Sequence, residues 1–397
     1  LKMSGLTETA VLLSALRLNQ TAEAWQVECA RANLNWDTLT VRAIVLGLAP
    51  QLHHRLLAWG LSETIPPRAA AKLAVTYQMQ EKRNAAIFAQ LDEALSACAA
   101  RDLRPVALKG AHLAALVYAT PALRPMNDID LLFTPEELLE AEAALTALGY
   151  GGKHKSADIG PGVIKHTSTF KREGQSAATP NPYLSTAAEC MIEPHGSLAE
   201  AWFGLKVDIT PGVRERAVDV TLGGQRSRVL AREDLLLHLC VHFCFHFIAG
   251  SPALVQLADL KTVMAEGLVG WPTFVERAVA RRAAPFALAA LTLAQRLLDA
   301  PIEAALDGLA RATPPHLRAR IAQLDLQAIL ARTQQKPLTG VGERIRRGFS
   351  DRAEAARWAS NWQERWQVWQ TALHPTRTDT GHLILNSLSA KFRKKQA

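Results

Sequence analysis

A chain of 397 residues, 49% hydrophobic and 21% charged, exceeds one small core and is too apolar for a disordered polyelectrolyte, which suggests ~2–3 domains or subdomains. Its formal charge of +8 and pI near 9.4 favour an anionic partner without choosing among nucleotide, nucleic acid and anionic lipid. Five scattered cysteines (Cys29, Cys98, Cys190, Cys240, Cys244) argue against a secreted disulfide framework. The opening Leu1-Lys2-Met3-Ser4-Gly5 lacks a signal-peptide pattern, and no run nears the ~18 apolar residues of a membrane span, so a soluble cytoplasmic protein is expected.

Apolar residues recur at three- and four-residue spacing over Leu6–Leu18, Ala22–Leu34, Trp36–Leu48 and Ala69–Ala100, with Pro66-Pro67 as punctuation. Residues 1–100 therefore read as an all-α region without a catalytic motif. The texture changes at Arg104. Pro105-Val106-Ala107-Leu108 is a short strand that ends at Lys109-Gly110, and a helical stretch, Ala111–Tyr118, follows. After Thr120-Pro121 comes Asn127-Asp128-Ile129-Asp130-Leu131-Leu132-Phe133, the clearest strand of the chain. Thr134-Pro135-Glu136-Glu137 then predicts a helix to about Leu148, with Thr134 as N-cap and Gly149 as its stop. Residues 150–190 read as a β-hairpin or loop, with 174–182 as a flexible stretch, and Cys190-Met191-Ile192-Glu193 as a returning strand. Helical patterns resume over Leu235–Phe247, Pro252–Glu266, Trp271–Leu298 and Ala353–Leu373. The expected class is α+β and predominantly helical: a small mixed-sheet core over 101–230, embedded between helical regions over 1–100 and 231–397.

Aspartates at i and i+2 of a strand project from one face, and Ile129 points to the other. Two close carboxylates repel unless a cation lies between them, and hard dications such as Mg²⁺ take one or two carboxylates together with waters and phosphates. Lys109-Gly110 stands at a strand end that opens a helix, where glycine permits close backbone approach and unpaired N–H groups face an anion. Lys109 adds a point charge, and the guanidinium fork of Arg124 matches phosphate oxygens. Glu193 could complete the site as a metal ligand or as a proton acceptor. On the residues alone, Glu189 and Asp208 remain its rivals.

The blocks Leu108-Lys109-Gly110-Ala111-His112, then Arg124-Pro125-Met126-Asn127-Asp128-Ile129-Asp130, then Ile192-Glu193-Pro194-His195 resemble a family of bacterial nucleotidyltransferase-like proteins of the DNA polymerase β-type superfamily. The order extends through Asp234–His242 and Leu257-Ala258-Asp259-Leu260, so the resemblance spans roughly residues 75–300. It implies a mixed-sheet nucleotidyltransferase core in which Asp128, Asp130 and Glu193 hold Mg²⁺ or Mn²⁺. Lys109, Gly110, Arg124 and His195 are then placed at the nucleotide. The implied reaction moves a nucleoside monophosphate from an NTP such as ATP to an acceptor hydroxyl and releases pyrophosphate. The acceptor, whether small molecule, protein or RNA, is not specified. Lys-Gly replaces the superfamily's Gly-Ser loop, and Pro194 interrupts the last block. These departures leave two alternatives: a degenerate, non-catalytic binding or scaffolding module, and an RNA-modifying member.

His238, Cys240, His242, Cys244 and His246 alternate, but on a helix the histidines and cysteines fall on different sides. Buried helix residues are expected rather than a zinc site, with His238 or His242 facing the cleft. Trp358, Trp362, Trp366 and Trp369 form a helical stripe suited to core packing or helix docking. The basic tail Lys391-Phe392-Arg393-Lys394-Lys395 suits weak contact with an anionic surface.

Overall fold

A computed structural model describes residues 5–154, 168–172, 190–333 and 340–373. Five helices come first: α1 (Leu6–Ala15), α2 (Ala22–Arg31), α3 (Trp36–Val45), α4 (Ala49–Ala58) and the long α5 (Pro67–Ala99). The Thr21 hydroxyl accepts from Ala24 N, and the Asn35 side chain from Thr38 N, which fixes the starts of α2 and α3. A mixed region follows, with β1 (Val106–Ala107), α6 (Lys109–Leu116), β2 (Asp128–Leu132), α7 (Leu138–Ala147), β3 (Tyr150–His154), β4 (Ser168–Arg172) and β5 (Met191–His195). Next come β6 (Ala199–Trp202), β7 (Leu205–Asp208), β8 (Val218–Leu222) and β9 (Gln225–Val229). The chain then returns to helix in α8 (Arg232–Ala249), α9 (Leu254–Ala265), α10 (Trp271–Ala280), α11 (Ala284–Leu298), α12 (Glu303–Ala312), α13 (Pro315–Ala322), α14 (Leu326–Thr333), α15 (Val341–Arg357) and α16 (Trp362–Leu373). The class is α+β and predominantly helical, as the residue patterns predict.

Seven strands form one mixed sheet in the order β3-β4-β5-β2-β1-β9-β8, and β6 and β7 pair as a separate hairpin. The centre decides what the sheet presents. β2 runs parallel to β5, with Asp130 opposite Glu193 and Leu132 opposite His195, and antiparallel to β1. Asp128, Asp130, Glu193 and His195 therefore share one face, while Ile129 and Ile192 are buried on the other. Pro194 sits inside this frame without breaking it. His195 O accepts from Phe133 N of the β2 side at 2.8 Å, so alternation turns the position of Pro194 toward β4, away from the β2 ladder.

Several local expectations change. The predicted helix over 271–298 divides because Arg282 adopts a left-handed φ of 55°, and Pro285 starts the next helix in its first turn. The predicted 353–373 helix divides too. The Asn361 side chain accepts from Glu364 N, and Glu364 accepts from Ser360 N, a reciprocal cap that starts α16 afresh. The tryptophan stripe is broken with it: Trp358 ends α15 fully buried, whereas Trp362 is 73% exposed. Thr134 and Glu137 exchange side-chain and backbone hydrogen bonds, but the helix starts only at Leu138. The predicted hairpin over 150–190 is present as β3 and β4; the proposed flexible stretch and the basic tail lie outside the described residues.

Two apolar cores meet along α5. One joins residues of α1–α4 to residues of α8–α15, so helices from both ends of the chain share a single core, with Leu12, Leu52, Leu236 and Leu291 inside it. The other fills the space between the sheet face bearing Ile129 and Ile192 and the second half of α5, where Ile87, Leu91 and Leu95 are buried. Polar side chains of α5 hold the strand approaches. Asn84 donates to Pro121 O at 2.6 Å and Arg124 O at 2.9 Å ahead of β2. Gln90 donates to Cys190 O at 2.8 Å and accepts from Cys190 N at 3.0 Å just before β5.

Replacing Gln90 with leucine leaves both buried peptide groups of Cys190 without a partner. The expected loss is about 2–4 kcal/mol, read as a lowered urea midpoint. A midpoint equal to wild type would show that this clamp does not hold β5.

Candidate active site

Asp130 is the centre of the site. It is only 1% exposed, and a carboxylate so buried needs charged partners. His195 Nε2 donates to Oδ1 at 2.6 Å, and Lys109 Nζ lies 3.0 Å from Oδ2. Burial alone would push the Asp130 carboxyl up. The Lys109 charge, together with the charge and hydrogen bond of His195, overrides that and holds it well below the usual range.

Local geometry brings these groups together. Leu108 N donates to Asp130 O at 3.0 Å, extending the β1–β2 ladder, so the next residue, Lys109, emerges beside the Asp130 side chain. Lys109 turns the chain into α6 with a left-handed φ of 37°, a strained setting for a side-chain-bearing residue. Gly110 serves packing: a Cβ there would meet Met126 Cγ at 3.2 Å. His195 follows Glu193 by two residues on β5 and so falls on the same face. The Thr169 hydroxyl of β4 donates to Glu193 Oε1 at 3.2 Å, and Glu193 Oε2 is 4.0 Å from His195 Nε2.

Asp128 lies one strand repeat before Asp130 and is less buried. Its carboxyl is pushed up to about 7, first by burial and then by the negative charges of Asp130 and Glu193, against the opposing pull of Lys109. Asp130, Glu193 and His195 present ligand atoms within 4.8 Å of one another, so the tightest donor group at this face includes His195, beside Asp128.

Arg124 is held differently from the expectation of an open phosphate ligand. Its Nε donates to Asp259 Oδ1 of α9 at 2.6 Å, and the Tyr118 hydroxyl donates to the same oxygen at 2.8 Å. The Arg124 charge nonetheless acts on Asp128, so it borders the acidic face while anchoring α9. Of the rivals to Glu193, Asp208 accepts from Thr210 N in the β6–β7 region, outside the tight donor group, and Glu189 lies outside the described residues.

Two site residues escaped the sequence reading. Arg83 of α5 donates to Met126 O at 2.5 Å and to Asn127 Oδ1 at 3.3 Å, and its charge acts on Asp128. Its neighbours Gln80, Asn84 and Gln90 are polar residues that α5 buries, but α5 carries many other polar residues, so the sequence alone does not single Arg83 out. Glu200 of β6 is the second. It accepts from His242 Nδ1 at 2.8 Å, and its charge acts on Lys109. Nothing in its local sequence, Leu198-Ala199-Glu200-Ala201-Trp202, marks it.

The Arg124–Asp259 pair has a direct test. Asp259 is fully buried, so Asp259→Ala strands a buried guanidinium and the Tyr118 hydroxyl. A loss of about 3–5 kcal/mol is expected, most of it recovered in the apolar double variant Arg124→Met/Asp259→Leu. Urea unfolding of the set measures it; no loss in Asp259→Ala would show that the pair is not structural.

No curated protein and no solved structure matches the chain. A family described as uncharacterised nucleotidyltransferase matches residues 32–299, a stretch that holds Lys109, Asp128, Asp130, Glu193, His195 and Asp259 alike. With most of its length matched and its acidic face inside the match, the chain belongs to this nucleotidyltransferase family.

Proposed function

We propose that the chain transfers a nucleoside monophosphate from an NTP to an acceptor hydroxyl, in the manner of the DNA polymerase β-type superfamily, with Mg²⁺ or Mn²⁺ held by Asp128, Asp130 and Glu193. The observation that carries this reading is the β2–β5 register, which gathers these carboxylates on one buried face beside Lys109. The donor set fits a hard dication. Oxygen ligands predominate, and the repulsion from Asp130 and Glu193 that adds to burial in raising the Asp128 carboxyl is repulsion a cation between them relieves.

When bound, the cation neutralises charge on the triphosphate and acidifies the acceptor hydroxyl. The chain's own groups do the rest. Lys109 now occupies Asp130 Oδ2; an arriving triphosphate draws the ammonium to its oxygens and frees that oxygen for coordination. His195, fixed on Oδ1, keeps the Asp130 carboxylate oriented. The first N–H groups of α6 face the phosphates. The acceptor oxygen then forms a bond to the α-phosphorus, the bond from that phosphorus to the β-phosphate oxygen breaks, and pyrophosphate leaves. Glu193, oriented by Thr169, takes the acceptor's proton. The acceptor is an unassigned hydroxyl of a small molecule, protein or RNA.

Among the described residues no helix is long and apolar enough to cross a membrane. All five cysteines are free, which suits a reducing compartment such as the cytoplasm.

Incubation of cell-lysate fractions with α-labelled NTPs and Mg²⁺ tests the reaction. Asp128→Asn and Asp130→Asn are expected to lower label transfer about 10³-fold or more, with melting temperatures showing the variants folded. Lys109→Ala is expected to weaken NTP binding about 10-fold or more. Unchanged transfer in the aspartate variants would overturn the assignment, and NTP binding with no labelled acceptor would favour a non-catalytic binding module.

A further inference from the structure

Beyond the acidic face, a second constellation lies where α8 meets the β6–β7 hairpin. His238 and His242 stand one helical turn apart on α8 and so share a face. Glu200 approaches from β6, with Oε1 2.8 Å from His242 Nδ1. One ligand atom from each of the three lies within 4.8 Å of the others; Glu200 and His238 are buried and His242 is nearly so. This assignment is independent of the nucleotidyl-transfer reading.

We propose that Glu200, His238 and His242 form a second metal site, selective for a transition dication of the Zn²⁺ class rather than for Mg²⁺. The donor chemistry separates the two sites. Two imidazoles and one carboxylate suit a borderline ion with bonds of about 2.0–2.2 Å, whereas carboxylates, water and phosphate suit Mg²⁺. The helical His-x-x-x-His spacing is the one that lets two imidazoles reach a single ion. In the metal-free arrangement His242 Nδ1 donates to Glu200; a metal replaces that hydrogen bond, and the neutral imidazole keeps its single N–H on whichever ring nitrogen does not bind the ion.

The surroundings sort which residues take part. Cys240 and Cys244 belong to another side of α8: Cys244 Sγ donates to Phe286 O at 3.1 Å, in the apolar core. Sulfur is thereby kept out of the ligand set. The His246 ring packs edge-on against His242 with centroids 4.3 Å apart, and its Nδ1 pairs with Ser251 Oγ at 3.3 Å, which supports His242 without adding a ligand. The Lys109 charge acts on both Glu200 and His242 and would oppose a cation there. That charge is compensated by its ion pair with Asp130. Three protein ligands leave a coordination position for water or a substrate group, so this site borders the acidic face across Lys109.

Tag-free full-length protein, stripped with chelator, is titrated with Zn²⁺ and separately with Co²⁺, with excess Mg²⁺ present throughout. Roughly one Zn²⁺ per chain is expected, together with visible d–d bands from Co²⁺. His238→Ala/His242→Ala is expected to abolish the stoichiometric binding, and Glu200→Gln to weaken it about 10-fold or more. Asp128→Asn, which leaves the Lys109–Asp130 ion pair in place, is expected to retain the Zn²⁺ in full, which separates this site from the proposed Mg²⁺ site. Three results would each overturn the assignment: wild-type protein that holds no Zn²⁺, binding unchanged in the Glu200 and histidine variants, or Zn²⁺ lost from the aspartate variant. Because the wild-type titration alone can overturn it, a histidine variant that fails to fold does not shelter the proposal.

Discussion

The structure is organised around a carboxylate that water cannot reach. Asp130 sits in the middle strand of a seven-stranded sheet, and a charge in that position stands only if the chain delivers compensating charge to both of its oxygens. Lys109 and His195 do so from opposite neighbours, one following β1 and the other on β5. That requirement ties together three segments far apart in sequence. It also sets the register: a one-residue slip of β5 against β2 would turn Glu193 and His195 to the Ile129 face and leave Asp130 half-compensated among apolar side chains. The apolar pattern and the charge pattern demand the same pairing.

The second constraint links the sheet to the helices. Asp259, on α9, receives Arg124 from the approach to β2 and Tyr118 from the end of α6, while Gln51 of α4 donates to the Tyr118 hydroxyl at 3.4 Å. A single buried carboxylate thus gathers the N-terminal helices, the sheet and the C-terminal helices. The shared core of α1–α4 with α8–α15 has the same consequence from the apolar side. Helices written at the two ends of the chain share a single apolar core.

What was legible in the residues follows from how local the signal is. The strand over 127–133 declares itself by a dense apolar run and paired acids, and the helices by three- and four-residue periodicity. Helix ends were misplaced wherever the break depends on a single backbone conformation, as at Arg282, or on a reciprocal cap inside a continuing apolar pattern, as at Ser360–Glu364. The strands over 199–229 are only four or five residues long, and they went unread although Leu205–Asp208 and Val218–Leu222 alternate apolar and polar residues. Glu200 went unread with them, since its meaning comes from α8, which lies far along the chain. Arg124 is the instructive intermediate case. Its type and position pointed to phosphate, but a fully buried acid 135 residues later occupies its Nε, and no local pattern encodes such a partner.

Lys109 shows how these constraints converge. A left-handed turn into a helix is ordinarily assigned to glycine, because a side chain there costs about 1–2 kcal/mol. Glycine stands one position later instead, where a Cβ would press on the Met126 side chain at 3.2 Å. The strained position is given to lysine because only a long cationic side chain at that point reaches Asp130 Oδ2. Its backbone strain is offset by the ion pair, and the ion pair is one that a triphosphate, carrying more negative charge than a single carboxylate, competes for on favourable terms. Lys109 is therefore held by an interaction that its proposed ligand can replace, while His195 keeps Asp130 in place through the exchange. The strain and the buried charge, each unfavourable taken singly, together leave a cation poised at the edge of the acidic face.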